Sequence, residues 1–537
     1  MRSAAGFTVT VAGDTLSAAR DTVLDTAVAD GLAGALASKD PNLWGSQARA
    51  EASIRLGWLD LPNSSRELLP RLAALRADLL ADGLDHVVLA GMGGSSLAPE
   101  VICRTAGVEL TVVDTTDPGQ IRAALADRLA GTVVVVSSKS GGTIETDSHR
   151  RAYAQAFRDA GLEPGPHFIA VTDPESALER IAHDEGFRAV FRADPNVGGR
   201  YSALTAFGLV PSALAGVDVA TLLDEAAVLS AGLGRVAGNP ALELGAVLAG
   251  AAQDGRDKVV IADAGSPSSG FGDWVEQLIA ESTGKAGTGL LPVIIDRPDS
   301  SGAAPGLDVH LIRLQATEGG PDSGEEHTGV AGPLGAQFLG WEYATAVAGW
   351  ALRINPFDQP NVTESKENTT RILQAGLSPE SPAVIDQAVE VYADPGLLGS
   401  AIDLSDVLAA LLDSVPERGY LAVMAFLDRH TDSWAAGVRD ALAARTDRPV
   451  TFGWGPRFLH STGQYHKGGP QVGVFLQVTG VVDEDLPIAG RDYTFGTLQA
   501  AQAAGDREAL TGRGRPLVRL HLTDRSNGVR RLLEAAR

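Results

Sequence analysis

In the first part of the chain, segments with hydrophobic residues at helical spacing alternate with short continuous apolar runs. Leucine and arginine at helical spacing predict an amphipathic helix over 66–82, and short apolar runs then alternate with helical segments. The runs predicted as strands are His86–Ala90, Glu109–Asp114, Thr132–Ser137, His167–Thr172 and Phe187–Phe191. Strands that alternate with helices predict an α/β fold, in which a parallel sheet is covered by helices on both faces.

The alternation resumes in the second half of the chain. The strands predicted there are Lys258–Ala264, Leu290–Ile295, Val309–Leu314, Tyr420–Leu427, Val450–Gly453 and Gly473–Val478. We expect a helical N-terminal segment (1–60), a first α/β domain (61–225), a second α/β domain (226–500) and a charged C-terminal tail packing on the surface (501–537). The glycine-rich polar stretch 318–332 predicts a loop of unassigned role.

Composition narrows the classes of protein to consider. With 537 residues, 44% of them hydrophobic, the chain predicts more than one globular core. Its formal net charge of −23 argues against nucleic acid as a partner. The apolar runs are much shorter than the roughly 20 residues that span a bilayer, so we expect a cytoplasmic protein without a membrane partner. The single cysteine, Cys103, forbids an internal disulfide and is expected in the core, and no histidine or cysteine pattern predicts a metal site.

A glycine- and serine-rich turn, Gly91 to Ser96 (GMGGSS), follows the first predicted strand. Glycine permits close approach to a ligand, and Ser95 and Ser96 could cap the next helix. An alternative is dinucleotide binding, because Gly91-x-Gly93-x-x-Ser96 nearly matches that fingerprint and Asp114 ends the next strand. Serine in place of the third glycine or alanine weakens this alternative, which would make the chain an NAD-dependent oxidoreductase.

A second turn is more informative. It places three hydroxyls, from Ser138, Ser140 and Thr143, and the charge of Lys139 on one short loop before a predicted helix. The positive end of a helix together with hydroxyl donors favours an anion. Because both turns follow strands of one parallel sheet, they predict a single phosphate held from two sides.

Six short blocks resemble the phosphoglucose isomerase family, which is built on sugar isomerase (SIS) domains. They are GMGGSS at Gly91, SKSGGTIET at Ser138, GGRYS at Gly198, ESTGK at Glu281, NPFDQPNVTESK at Asn355 and HSTGQ at His460. The chain looks most similar to the isomerase half of transaldolase–isomerase fusions. The resemblance implies two SIS-type three-layer αβα domains, a hexose 6-phosphate substrate, no cofactor and interconversion of glucose 6-phosphate and fructose 6-phosphate. A non-catalytic sugar-phosphate-binding protein on the same domains is the alternative.

The resemblance also implies roles for individual residues. Glu281 would move a proton between carbons 1 and 2, Arg200 would stabilise charge on the enediolate oxygen, and His460 and Lys366 would open the sugar ring. The implied substrate-binding residues are Gly94, Ser95, Ser138, Lys139, Ser140, Thr143, Gly199, Gln277 and Gln359.

The order of two blocks departs from the common family pattern. Here the Lys366 block precedes the His460 block, which indicates a rearranged second domain. In some members a partner subunit donates the histidine, so a homodimer is compatible with the resemblance, and His460 could act in its own chain or in a partner. His466, followed by Lys467, is a second candidate histidine.

Overall fold

The computed structural model describes residues 2–4, 6–302, 306–317 and 325–537, and these form three β-sheets layered with helices. The strands are β1 (Arg2–Ala4), β2 (Phe7–Ala12), β3 (His86–Gly91), β4 (Thr111–Val113), β5 (Thr132–Ser137), β6 (Phe168–Thr172), β7 (Ala189–Arg192), β8 (Lys258–Ala264), β9 (Leu291–Ile295), β10 (Val309–Gln315), β11 (His327–Ala331), β12 (Val384–Asp386), β13 (Val389–Ala393), β14 (Tyr420–Phe426), β15 (Val450–Trp454), β16 (Gly473–Gly480) and β17 (Leu517–Leu522). The α/β class with parallel-rich sheets is therefore confirmed.

Helices cover the sheets and fill the N-terminal region. They are α1 (Asp14–Ala29), α2 (Leu32–Ala37), α3 (Arg49–Ala52), α4 (Leu61–Ser64), α5 (Leu69–Ala81), α6 (Leu97–Ala106), α7 (Pro118–Ala126), α8 (Ile144–Asp159), α9 (Ala177–Asp184), α10 (Ala206–Ala215), α11 (Val219–Ser230), α12 (Pro240–Gln253), α13 (Phe271–Thr283), α14 (Leu334–Ala351), α15 (Val362–Ala375), α16 (Pro395–Leu398), α17 (Leu404–Asp413), α18 (Gly437–Ala443), α19 (Gly463–Gly468), α20 (Phe495–Thr511) and α21 (Arg525–Ala536). Within the described ranges, none of them is both long and apolar enough to cross a bilayer.

The first sheet has the strand order β4-β3-β5-β6-β7, and all its pairs are parallel. Its central strands β3, β5 and β6 are buried along their whole length, as continuous valine-rich runs predict for a sheet covered on both faces. Gly91 at the end of β3 pairs with Ser137 at the end of β5. This register brings the two predicted phosphate turns to one edge of the sheet. Cys103 on α6 is buried, as predicted.

The second sheet has the order β1-β2-β11-β10-β8-β9. Strands β8 to β11 are parallel, while β2 adds antiparallel to β11 and forms a hairpin with β1. The N-terminal segment, predicted as helical, therefore begins with two strands before α1. The predicted loop 318–332 also differs, because His327–Ala331 forms β11, an internal strand with all five residues buried. Residues 318–324 of that loop lie outside the described part of the chain.

The third sheet has the order β12-β13-β17-β16-β14-β15. The C-terminal residues 501–537, predicted as a surface tail, instead supply β17 between β13 and β16, and the buried helix face that includes Val529 and Leu532. In β17 the apolar residues are interrupted by Arg519 and His521, so a half-buried strand resembles a charged tail in the sequence. The region predicted as one domain, 226–500, is thus divided between two sheets.

Candidate functional site

The first predicted turn packs directly against the turn that carries Arg200. Gly93 has a positive φ of 55°, and a Cβ on Gly94 would lie 2.0 Å from the carbonyl oxygen of Gly199. Glycine is therefore required at position 94 for the two turns to touch. Ser95 is partly exposed. Ser96, predicted as a possible helix cap, instead donates its hydroxyl to the Gly93 carbonyl (3.2 Å), because it directly follows the tight 3-10 turn Gly93–Ser95.

The second predicted turn gathers its hydroxyls at the start of α8. The hydroxyls of Ser138 and Thr143 are 3.1 Å apart, and that of Ser138 also accepts from the Gly141 amide. The Ser140 hydroxyl accepts from the Gly142 amide. Thr143 makes no side-chain cap bond to α8, so its hydroxyl leaves the first amides of this helix free for an anion, apart from the Glu145 amide, which bonds its own carboxylate.

Lys139 lies on the same turn, but its charge is already compensated. Its Nζ lies 2.7 Å from an Asp173 carboxylate oxygen and 3.4 Å from the Pro195 carbonyl. A lysine neutralised by a partner adds less attraction for a phosphate than a free one. The hydroxyls and the amides of α8 therefore form the stronger part of this turn as an anion site.

Glu281 lies near the C-terminal end of α13 and is buried. One of its carboxylate oxygens accepts from the Gln277 amide (3.3 Å) and lies 3.6 Å from Nη1 of Arg200. Burial raises the pKa of the Glu281 carboxyl, while the charge of Arg200 opposes this rise. Gln277 also donates to the backbone carbonyl of His460 (2.8 Å), so it links α13 to the segment that follows β15.

Arg200 is buried and held by four hydrogen bonds. Its guanidinium donates to the Ser282 hydroxyl (2.9 Å), to the Pro356 carbonyl (2.7 Å), to the Asp358 carbonyl (2.9 Å) and to the side-chain oxygen of Gln359 (3.2 Å). These contacts fix the cation beside Glu281 and bring Gln359, predicted from a distant block, into the same cluster. Such rigidity suits a group that stabilises charge without reorganising.

Lys285 fixes the same 355–359 segment from the end of α13, and sequence reasoning did not assign it a role. Its Nζ donates to the carbonyls of Asn355 (2.8 Å) and Asp358 (2.6 Å) and to the Asp358 carboxylate (2.7 Å). Burial, and then the neighbouring charge of Arg200, lower the pKa of Lys285 to about 8. Its position in the block ESTGK indicated that Lys285 belongs to the site region, but the sequence could not predict its contacts with the 355–359 segment.

His460 follows β15 and reaches a carboxylate on α8 within the same chain. Its Nε2 lies 3.0 Å from Oε1 of Glu145, which also accepts from the Gln502 amide (2.7 Å). Burial raises the pKa of the Glu145 carboxyl. The charge of His460 and its hydrogen bond lower this pKa, and the net result is a pKa of about 2. Sequence reasoning missed Glu145, because an acidic residue in the first turn of a helix resembles an ordinary favourable interaction with the helix dipole.

Lys366 converges on the same place despite the altered order of the blocks. A cavity of about 130 Å³ is lined by Thr143, Glu145, Lys366 and His460, among others. Lys366 itself is exposed on α15, and its charge also lowers the pKa of Glu145. The structure thus brings one phosphate-type turn, the histidine–carboxylate pair and the lysine to a single cavity.

The second candidate histidine, His466, does not reach this cavity. It is buried in the third sheet's core, with Nδ1 hydrogen-bonded to the Tyr420 hydroxyl (3.0 Å) and its ring stacked on the same side chain. Burial lowers the pKa of His466 well below its usual value. Lys467 does line the cavity, but its ammonium group is paired with the buried carboxylate of Asp506 (2.6 Å).

Comparisons with known proteins match part of the chain. Residues 79–236 match the model of the family described as phosphoglucose isomerase. A glucose-6-phosphate isomerase of Synechococcus elongatus is 36% identical over 245 residues, which cover 43% of this chain and 46% of that protein. One of Acaryochloris marina is 33% identical over 273 residues, covering 47% and 51%. The alignments thus span about half the length of these relatives.

Solved structures extend the likeness in fold. A glucose-6-phosphate isomerase from Chlamydia trachomatis superposes with a TM-score of 0.54 at 19% identity, over 70% of this chain and 89% of that chain. A hypothetical protein of Thermus thermophilus gives a TM-score of 0.53 at 24% identity, over 67% and 95%. At these identities the two structures support the fold alone.

Proposed function

We propose that this chain, whose residues 79–236 match the model of the phosphoglucose isomerase family, is an aldose–ketose isomerase that interconverts glucose 6-phosphate and fructose 6-phosphate. The observation that carries the proposal is the buried Glu281 carboxylate, which lies beside the fixed cation of Arg200. Relatives named glucose-6-phosphate isomerase support the same activity. The cytoplasmic location and the homodimer stay predictions.

We assign phosphate binding to the turn after β5 and to the turn after β3. The hydroxyls of Ser138, Ser140 and Thr143 and the first amides of α8 would hold the phosphate oxygens. Gly94 and Ser95 approach from the neighbouring strand, because β3 and β5 are paired in parallel. Binding the phosphate in this way fixes the position of the sugar without touching its reacting carbons.

Ring opening is assigned to the pair of His460 and Lys366. One group takes the proton of the C1 hydroxyl and the other donates a proton to the ring oxygen, so that the ring C–O bond breaks with no net change of charge. Glu145 accepts a hydrogen bond from His460 and stabilises the imidazolium form. The shared cavity supports this assignment.

Proton transfer is assigned to Glu281. Its carboxylate takes the proton from C2 of the open-chain aldose and returns it to C1, through a cis-enediolate whose oxygen charge Arg200 stabilises, while the C2 hydroxyl loses its proton and the C1 oxygen gains one. A carboxyl whose pKa is raised by burial suits this exchange, because it is a stronger base than an exposed carboxylate. No redox change occurs, so the reaction itself requires no electron carrier.

A coupled assay tests the proposal directly. The purified chain is incubated with fructose 6-phosphate, NADP⁺ and an excess of glucose-6-phosphate dehydrogenase, and NADPH formation is followed by absorbance. We expect turnover on the order of 1–10³ s⁻¹, the usual range for enzymes. Saturable binding of fructose 6-phosphate without turnover would instead favour a non-catalytic sugar-phosphate-binding protein.

A further inference from the structure

A second, larger cavity lies between the third sheet and the helices α15 and α20. It has a volume of about 760 Å³, within the size range of small-ligand sites. Side chains of opposite charge and two amides line it, among them Tyr392, Gln477, Gln499, Arg507 and Arg519. The candidate isomerase site is on the other side of these helices, since Gln502 of α20 faces Glu145 there.

Two arginines in this cavity converge on one carboxylate. Arg507 (2.8 Å) and Arg519 (2.7 Å) both donate to the same oxygen of Glu380, and the guanidinium of Arg519 lies 3.8 Å from the centre of the Tyr392 ring. A pair of guanidinium groups held in place in this way is a preformed carboxylate receptor.

The carboxylate that fills this receptor comes from an irregular segment. Glu380 lies between the end of α15 and the start of β12, after Gly376, whose φ is +83°. Its side chain is 39% exposed, against 20% for Arg507 and 19% for Arg519. The two arginines therefore form part of the cavity wall. Glu380 reaches them from the solvent side, so the carboxylate of a ligand can replace its own.

Two amides in the same cavity have unused hydrogen-bonding atoms. Gln477 is fully buried and Gln499 is 4% exposed. Among the described residues, Oε1 of Gln477 and Nε2 of Gln499 have no hydrogen-bond partner. Buried amide atoms are rarely left without partners, so this acceptor and this donor mark where polar groups of a ligand would bind.

We propose that the cavity binds a small organic acid. One carboxylate of the ligand replaces that of Glu380 between Arg507 and Arg519, and a hydroxyl or second polar group bonds Gln477 and Gln499. The volume admits a molecule with several such groups. This site is independent of the proposed isomerase activity, and it requires neither sugar nor phosphate.

Isothermal titration of the full chain with citrate tests the proposal. Inorganic phosphate and chloride at matched ionic strength are titrated in parallel. We expect saturable citrate binding that Glu380→Gln tightens by about tenfold, because the internal competitor loses its charge. Arg507→Gln should weaken citrate binding by at least about tenfold, since one charge-assisted hydrogen bond is lost. Gln499→Leu, which keeps both arginines, should also weaken it.

The matched control is Arg531→Gln. Arg531 lies on α21 and pairs with Asp386 of β12 in the third sheet. Neither residue lines the cavity, so citrate affinity should not change. Thermal unfolding of each variant without ligand establishes that it folds. Absence of saturable binding in both the wild type and Glu380→Gln would overturn the proposal. So would equal affinity in Arg507→Gln, or binding of phosphate in preference to citrate.

Discussion

Replacing Glu281 by glutamine removes the proposed base while keeping the size of the side chain. The amide oxygen can still accept from Gln277, which donates to Glu281 at 3.3 Å. It cannot take a proton from carbon. Removal of a general base costs about 10²–10⁴ in rate, or roughly 3–5 kcal/mol in the activation barrier. We therefore expect kcat to fall by at least about 100-fold in this variant.

Stability should change much less than rate. At an effective dielectric constant of about 20, the 3.6 Å separation of Glu281 and Arg200 corresponds to an attraction of about 4–5 kcal/mol. The substitution loses this attraction but also removes the cost of burying a carboxylate, which is several kcal/mol. The free energy of unfolding should then change by no more than about 2 kcal/mol, since the two terms nearly cancel.

The coupled assay measures kcat and KM, and a second assay in D₂O measures deuterium incorporation into the product. Wild-type protein should exchange the transferred hydrogen with solvent, and Glu281→Gln should form no labelled product. Glu276→Gln is the matched control on the same helix. Burial raises the pKa of Glu276 to about 8, so its carboxyl is mostly neutral at pH 7 and glutamine mimics it. Retention of more than about a tenth of wild-type kcat by Glu281→Gln would refute the assigned role, because a general base contributes far more.

Three further predictions concern binding, backbone contact and pH. Ser138→Ala combined with Thr143→Ala should raise KM for fructose 6-phosphate by at least about tenfold with little change in kcat, because two hydrogen bonds to the phosphate are lost. Gly94→Ala should lower the free energy of unfolding by about 1–3 kcal/mol in urea titrations and reduce kcat/KM, since its Cβ would lie 2.0 Å from the Gly199 carbonyl oxygen. Lys285, with a folded pKa of about 8 against an ordinary 10.5, binds fewer protons when folded, so stability should rise with pH between those values by up to about 3 kcal/mol relative to Lys285→Met.

Each of these predictions has a control or a contrary outcome. Ser148→Ala removes a hydroxyl that bonds the Ile144 carbonyl and the Tyr493 side chain and does not line the candidate cavity, so KM should not change. Gly198→Ala should be tolerated, because its φ is −70° and the nearest atom to its Cβ is 3.9 Å away. Equal KM in the double hydroxyl variant, equal stability of the two glycine variants, or parallel pH profiles of wild type and Lys285→Met would contradict the corresponding argument.

The strands and turns of the first sheet could be predicted from the sequence with little error. The run Thr132–Ser137 is β5 with the same bounds, because a continuous valine run between turns has few other solutions. The C-terminal strand β17 could not be predicted in this way. Its apolar residues alternate with Arg519 and His521, and only its pairing with β13 and β16 explains that pattern.

The sequence by itself determined the α/β class and the two turns, because strand periodicity and glycine–hydroxyl turns are local properties of the chain. The tertiary structure alone decided which distant groups meet. His460 and Glu145 are 315 positions apart, and no local pattern encodes their 3.0 Å contact. It also decided that Lys366 reaches the same cavity although its block comes before that of His460, since convergence depends on how the three sheets pack and not on the order of the chain.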